Sequence, residues 1–254
     1  MSQTTPKLTY YDMGAAVIAF SSTRHGGFNI NSYCGDEEEH VRCNRKALCS
    51  LLDISDDRLI MPHQTHETRV ACIDEAFMAL SSGERQAALE GTDALMTNLR
   101  GVCIGVSTAD CIPVLLHDPG QGAVAAIHAG WRGTVARIVE KAVAEIITTY
   151  GSRPEDLFAQ IGPGISLDSF EVGQEVYDAF AAAGFDMPSI SKKYEKWHIN
   201  LPGCNRQQLV ACGLLPDHIS DCGICTYRQY DTYFSARRLD IHSGRIFTGI
   251  LLQK

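Results

Sequence analysis

Three consecutive apolar runs near the middle of the chain place the strongest constraint on its fold. They read "VCIGVS" (102–107), "PVLLH" (113–117) and "GAVAAIH" (122–128), and turn-length connections separate them. Runs as uniformly apolar as "VCIGVS" are typical of strands in a sheet that is covered on both faces. Further strands are predicted at 15–22, 157–162 and 245–252. Because the central strands follow one another directly, a mixed sheet is favoured over a regular βαβ repeat.

The segment that follows the third run has the periodicity of an amphipathic helix. Apolar residues from Val135 to Ile147 recur at helical spacing, which places them on one face. Thr134 is the predicted N-cap of this helix and Gly151 its predicted C-terminal stop. Two further helices are predicted over 174–184 and over 204–213, the second starting just after Pro202. The predicted class is mixed α/β, with helices covering the sheets.

Composition and charge exclude several classes of protein. Of the 254 residues, 45% are hydrophobic and 20% are charged, as in ordinary globular proteins, and a single domain over 1–254 is expected. A net charge of −8 without a Lys/Arg run argues against nucleic acid or an anionic membrane as partner. No apolar run approaches the roughly 20 residues of a membrane-spanning helix. Without a signal pattern at the N-terminus, the ten cysteines are expected to be reduced and the protein cytoplasmic.

Histidine and cysteine side chains lie where the apolar runs end. His63 and His66 follow one run in "MPHQTHETRV", Cys111 lies in the connection of "STADCIPVLLHDP", and His128 ends the strand in "AAIHAGWRG". Two imidazoles and one thiolate form a known donor set of catalytic zinc sites, in which a fourth position stays open. The alternative interpretation is that His66, Cys111 and His128 are separate residues of the core.

Arginines and one aspartate next to these segments are candidates for substrate contacts. Arg132 lies between two glycines ahead of the predicted helix, where helix N-terminal amides and a guanidinium can form an anion site. Arg24 and Arg237 lie near a glycine or a strand end, and a solvated surface role is the alternative for each. Asp110, beside Cys111, is a candidate for proton transfer or ligand orientation, or else a turn residue that accepts backbone hydrogen bonds.

These motifs together resemble a known family over nearly the whole chain. They are "TRHGG", "NR" (Asn44 and Arg45), "HQTH", "GTDALMT", "TADCIPVLL", "AAIHAGWRGT", "IGPGIS" with "FEVG", and "CTYR" with "YFSARR". The separation of "TADC" from "HAGWRGT" is specific. The chain is similar to the YfiH-like family, described as multicopper polyphenol oxidase or laccase-domain proteins and as purine nucleoside phosphorylases.

The resemblance implies a set of zinc ligands and a fold. The ligands carried over are His66, Cys111 and His128, with copper as an alternative metal, and the fold is a layered α/β/β/α sandwich. Many relatives have glycine where this chain has Glu67, and His63 is a neighbouring imidazole that could replace His66. The residues that we expect to contact substrate or phosphate are Arg24, Arg45, Gln64, Arg132 and Arg237.

The resemblance also implies an activity on purine nucleosides. Adenosine, inosine, guanosine and methylthioadenosine would react with phosphate to give base and ribose 1-phosphate, and adenosine would be deaminated. Cys111, His128 and Asp110 are the candidate catalytic residues. One alternative is a metal-free hydrolase in peptidoglycan precursor editing, with Cys111 as nucleophile and His128 as its base. A copper-dependent polyphenol oxidase is the other, but none of the nine histidines forms the His-x-His pairs of multicopper sites.

Overall fold

Two mixed β-sheets, stacked face to face, form the centre of the fold. The structure is a computed structural model that describes residues 5–254. Its strands are β1 (Leu8–Tyr11), β2 (Val17–Ser22), β3 (Leu59–Ile60), β4 (Val70–Cys72), β5 (Ala94–Thr97), β6 (Cys103–Thr108), β7 (Ile112–Asp118), β8 (Ala123–Ala129), β9 (Phe158–Ile161), β10 (Glu171–Val172), β11 (Ser191–Lys193), β12 (Trp197–Ile199), β13 (Ile219–Asp221) and β14 (Ile246–Leu252). Its helices are α1 (Glu38–Leu52), α2 (Glu75–Met78), α3 (Ser82–Ala88), α4 (Trp131–Val135), α5 (Ile138–Tyr150), α6 (Gln174–Ala182), α7 (Met187–Ile190), α8 (Leu201–Ala211) and α9 (Ala236–Leu239).

Each large sheet contains both parallel and antiparallel pairs. The five-stranded sheet has the order β1-β2-β14-β6-β3, and only its β6–β3 pair is parallel. The six-stranded sheet has the order β13-β9-β7-β8-β5-β4, with parallel pairs at both edges. Strands β10, β12 and β11 form a small antiparallel sheet. The predicted mixed α/β class is confirmed.

Successive side chains of each strand point to opposite faces of its sheet, and this divides the core into layers. Val106 of β6 packs with Leu115 of β7 and Val124 of β8, so the two large sheets share one apolar layer. Side chains on the opposite face of the six-stranded sheet pack against helices, and Ile127 of β8 packs in this way against Ile146 of α5. On the outer face of the five-stranded sheet, α1 packs against β14 and β2. Helix, sheet, sheet and helix therefore follow in that order, as the α/β/β/α prediction required.

The predicted helix after β8 is confirmed as α5, but its predicted start is wrong, because the chain breaks after the short helix α4 and α5 begins at Ile138. Arg137 adopts a left-handed conformation with φ 64°, which ends the first helix. Its guanidinium donates to the carbonyl of Ala183 at 2.6 Å and lies 3.9 Å from the centre of the Phe185 ring. Thr134 lies inside α4 and does not cap a helix, whereas Gly151, with φ 71°, ends α5 as predicted.

The remaining predictions about the fold need one smaller correction. Pro202 lies in the first turn of α8, not before it, because a missing N–H costs nothing at that position. The six predicted strands are confirmed to within two residues at each end. All ten cysteines lie in the described part of the chain and none forms a disulfide. No helix between residues 5 and 254 has the length and apolar character needed to cross a membrane.

Candidate metal centre

The chain crosses from the five-stranded to the six-stranded sheet between β6 and β7, and Cys111 lies in this crossing. His128 of β8 pairs with Pro113 of β7, so its side chain lies beside the crossing. His66 reaches the same point from the loop between β3 and β4. One possible ligand atom from each of the three residues lies within 4.8 Å of the others, and the described chain shows no other such group of His, Cys, Asp or Glu. The fold therefore brings the predicted ligand set together.

The His66 loop owes its shape to a buried carboxylate. His66 has φ 66°, an uncommon conformation for a residue with a side chain. The carboxylate of Asp93 accepts the backbone N–H groups of Thr65, His66 and Glu67 at 3.3, 3.1 and 2.8 Å. Three converging N–H groups form an anion-binding concavity, and the carboxylate that fills it stabilises the left-handed turn.

The same carboxylate fixes the second histidine. Asp93 is fully buried, and its Oδ1 lies 2.7 Å from Nδ1 of His128. Because Nδ1 is engaged in this way, Nε2 is the ring nitrogen that remains for a metal. Sequence analysis did not identify Asp93. The available signal was an acidic residue immediately before the apolar strand "ALMT", in a motif quoted only for the family.

The buried groups of the centre favour an anionic thiolate. Burial opposes ionisation of the Cys111 thiol, but the charge of His128 and hydrogen bonds from His128 and His66 outweigh it and lower the pKa of the thiol. Burial likewise disfavours the charged form of His128, but Cys111 and Asp93 outweigh it and raise the pKa of the imidazole. A thiolate is the form in which cysteine binds metals and acts as a nucleophile.

Gly130 leaves the space between the three donor side chains free. A Cβ atom at this position would lie 3.0 Å from Cδ2 of His66 and 3.1 Å from Sγ of Cys111. The backbone of Gly130 has φ −68° and ψ 170°, which any residue adopts. The need for glycine here therefore arises from space and not from backbone conformation.

We expect Gly130→Ala to lower metal affinity about tenfold while the protein stays folded. The added methyl group pushes His66 and Cys111 apart, and donor sets that depart from their preferred geometry bind less tightly. Competition with a chromophoric zinc chelator measures this affinity. Gly120→Ala, at a turn far from the metal centre, serves as control. Unchanged affinity in Gly130→Ala would show that the three donors have room to spare.

Two other predicted residues lie in the wall of the cavity that contains the three donors. This cavity has a volume of about 260 Å³. The side-chain amide of Gln64 is held at both ends, since it donates to the carbonyl of Ser107 at 2.8 Å and accepts from its N–H at 2.7 Å. His63 lies 2.7 Å from Glu90 through Nδ1 and stacks on Tyr33 at 4.1 Å, outside the cluster of metal donors.

Asp110 lies next to this cavity but not in its wall. Its Oδ1 accepts from the hydroxyl of Thr226 and its Oδ2 from the backbone N–H of Arg237, both at 2.7 Å. Asp110 has φ 89°, so the turn that carries Cys111 is tightly bent here. Both carboxylate oxygens thus connect the Cys111 turn to later segments of the chain.

The four arginines predicted to contact substrate do not line the cavity. Arg132 is exposed and stacks on Trp131 at 4.4 Å. Arg45 pairs with Asp56 at 3.0 Å. The other two donate to backbone carbonyls: Arg24 to Tyr230 at 2.7 Å, and Arg237 to Glu171 at 3.0 Å.

Comparison with known proteins identifies relatives along nearly the whole chain. Residues 17–253 match a family model described as "Multi-copper polyphenol oxidoreductase laccase". A purine nucleoside phosphorylase of Bacteroides thetaiotaomicron is 48% identical, over 92% of this chain and 91% of that protein. Adenosine deaminase RL5 from an unknown prokaryotic organism is 45% identical, over 96% of this chain and 97% of that protein. The crystal structure of the hypothetical protein YfiH of Bacillus licheniformis superposes with a TM-score of 0.90 at 29% identity, covering 98% of this chain and 97% of that one.

Proposed function

This chain belongs to the laccase-like multi-copper polyphenol oxidoreductase family, and we propose that within it the protein is a zinc-dependent purine nucleoside enzyme. The proposed substrates are adenosine, inosine, guanosine and methylthioadenosine, which react with phosphate to give base and ribose 1-phosphate. Adenosine is also deaminated to inosine. Relatives named purine nucleoside phosphorylase and adenosine deaminase, at 48% and 45% identity, support both activities. The unpaired cysteines support a reducing compartment such as the cytoplasm as the place of action.

The observation that carries the proposal is the geometry of the three donors. His66, Cys111 and His128 converge from three separate segments, and the space that Gly130 leaves free lies among them. Three protein ligands and a fourth position that faces a cavity distinguish catalytic zinc sites from closed structural ones. Bound to these residues, Zn²⁺ supplies Lewis-acid activation of a water molecule or a substrate oxygen.

The side chains around the donors have separate tasks in this proposal. Asp93 holds His128 and the His66 loop in position, and Asp110 positions the turn of Cys111. The stacked rings of Tyr33 and His63 give the cavity a flat aromatic wall for the purine. In phosphorolysis a phosphate oxygen bonds to C1′ while the bond to N9 breaks, and the departing base takes up a proton. In deamination water adds to C6 and ammonia leaves.

Incubation of the zinc-loaded protein with adenosine, with and without phosphate, tests the proposal. We expect adenine and ribose 1-phosphate only when phosphate is present, and inosine in both cases. Chromatography separates these products, together with the hypoxanthine that phosphorolysis of the inosine would add when phosphate is present. Removal of the metal by a chelator is expected to abolish both reactions, and zinc to restore them. An absence of turnover in a fully zinc-loaded sample would contradict a nucleoside substrate.

A second candidate function is a metal-free cysteine hydrolase. Cys111, His128 and Asp93 stand in the order of a nucleophile, its base and the carboxylate that orients the base, and the lowered pKa of the thiol agrees with this role. His66 argues for the metal instead, because a nucleophile and base need no second imidazole at the thiol. A hydrolase would release acid from an amide or ester substrate after chelation, whereas the zinc enzyme would not.

A further inference from the structure

Among residues 5–254, Arg245 is the one arginine or lysine in the wall of the metal cavity. It follows α9 and lies directly before β14. No aspartate or glutamate of the described chain lines this cavity, although the full sequence carries a net charge of −8. The cavity therefore differs in charge from the rest of the molecule. None of the motifs quoted in the sequence analysis contains Arg245.

Backbone carbonyls hold the guanidinium of Arg245 in a fixed position. It donates to the carbonyls of Ile241 at 2.8 Å, Gly244 at 3.2 Å and Ser243. No carboxylate in the described chain lies within ion-pair distance of it. A half-buried cation without a counter-ion is unfavourable, and a bound anion would remove that cost. The fixed plane also suits the paired hydrogen bonds that a guanidinium makes to phosphate.

A hydroxyl without a partner lies in the same wall. Thr108 is 1% exposed, and its Oγ1 has no hydrogen bond. It stands at the end of β6, three residues before the metal donor Cys111. A buried hydroxyl that lacks a partner inside the protein is a group that a ligand oxygen can satisfy. Arg245 and Thr108 thus place a positive charge and a hydroxyl without a partner in the wall of one cavity.

We propose that Arg245 and Thr108 form the subsite for a phosphate group, beside the three metal donors. The proposal rests on the proposed function for the identity of this group as the phosphate co-substrate. A nucleoside 5′-phosphate would present the same chemistry. The sequence analysis expected phosphate contacts from Arg24, Arg45, Arg132 and Arg237, and none of these lines the cavity. The proposed subsite uses Arg245, which does line it.

Titration of inorganic phosphate into zinc-loaded Arg245→Gln and wild-type protein tests the subsite. We expect the dissociation constant for phosphate to rise about ten- to a hundredfold, since charge-assisted hydrogen bonds are lost. Arg153→Gln is the matched control, because Arg153 is exposed and pairs with Glu155 and Asp156. An unchanged constant in Arg245→Gln, or a rise in Arg132→Gln alone, would overturn the assignment.

Arginine footprinting of the wild-type protein gives the same answer without a substitution. We expect inorganic phosphate to protect Arg245 from phenylglyoxal, and peptide mass mapping to locate the protected site. Protection of another arginine in its place, or of none, contradicts the proposal. This measurement stands even if Arg245→Gln does not fold.

A competition experiment identifies the source of the phosphate group and separates the two proposals. Adenosine 5′-phosphate that displaces inorganic phosphate would assign the subsite to a nucleotide, and failure to displace it would assign the subsite to the co-substrate. In both cases we expect the binding of phosphate to depend on Arg245. If the wild-type protein binds phosphate through Arg245 but turns over no nucleoside, the subsite stands and the proposed function fails. If nucleosides are phosphorolysed equally well by Arg245→Gln, the function stands and the subsite fails.

Discussion

Cys111→Ala is expected to lose its metal and both nucleoside activities while remaining folded. Cys111 supplies the thiolate of the proposed donor set, and no other cysteine of the described chain belongs to that cluster. Structural zinc sites bind with about 10–16 kcal/mol shared over four ligands, so the loss of one ligand should weaken binding roughly a hundredfold or more. Metal analysis after gel filtration, together with thermal unfolding, measures both properties. Cys43→Ala, in α1 and far from the cluster, is the control.

Alkylation of the wild-type protein separates the two roles proposed for this thiol. With zinc bound, Cys111 is expected to resist iodoacetamide, because its lone pairs are engaged by the metal. After chelation it should react faster than Cys49, Cys204 and Cys212, since its pKa is lowered while burial raises the pKa of those three thiols. Full zinc retention in Cys111→Ala would remove the residue from the ligand set.

Local sequence patterns predicted the strands and helices whose formation depends on residues close together in the chain. The uniformly apolar strands β6 to β8 lie where the pattern placed them, since only a covered sheet can bury every side chain of a run. Short strands such as β3 and β10, with two residues each, carry no periodicity that could reveal them. At the break between α4 and α5, Arg137 donates to the carbonyl of Ala183, which is 46 positions away. A break of that kind has no local signature.

In the candidate site, too, sequence analysis identified the residues whose chemistry is locally distinctive and missed those whose role depends on the folded chain. The three candidate metal donors stood out because imidazole and thiol side chains at strand ends are chemically distinctive. Arginines are not distinctive in this way, since most serve the surface or cap carbonyls, as Arg24 does. The separate signals for Arg245 are its place in the cavity and the absence of a carboxylate near it, and both are properties of the folded chain.

Asp93→Asn is expected to weaken zinc binding about 10- to 100-fold, the usual cost of losing a residue that orients a metal ligand. The substitution keeps the shape of the side chain but replaces one carboxylate oxygen with an NH₂ group, which donates hydrogen bonds and cannot accept them. The carboxylate now accepts three backbone N–H groups and faces Nδ1 of His128. Each oxygen serves two of these four donors, so two of them would then face the NH₂ group, which is itself a donor. Zinc affinity by chelator competition and the free energy of unfolding by denaturant titration are the two measurements.

A buried carboxylate with purely structural contacts provides the matched control for Asp93. Asp118 is 1% exposed, and its Oδ1 accepts the N–H groups of Gly120 and Gln121 at 2.8 and 3.0 Å, in a turn at the far end of β7. Asp93→Asn should lose about 1–3 kcal/mol of stability, because it leaves buried donors unsatisfied. Asp118→Asn should lose less, because its remaining oxygen can keep both N–H groups while the new NH₂ takes the position of Oδ2, which has no hydrogen-bond partner in the described chain. Only Asp93→Asn should also lose zinc affinity. Equal zinc affinity in the two variants would mean that His66 and His128 hold their geometry without Asp93, and that this carboxylate serves the fold alone.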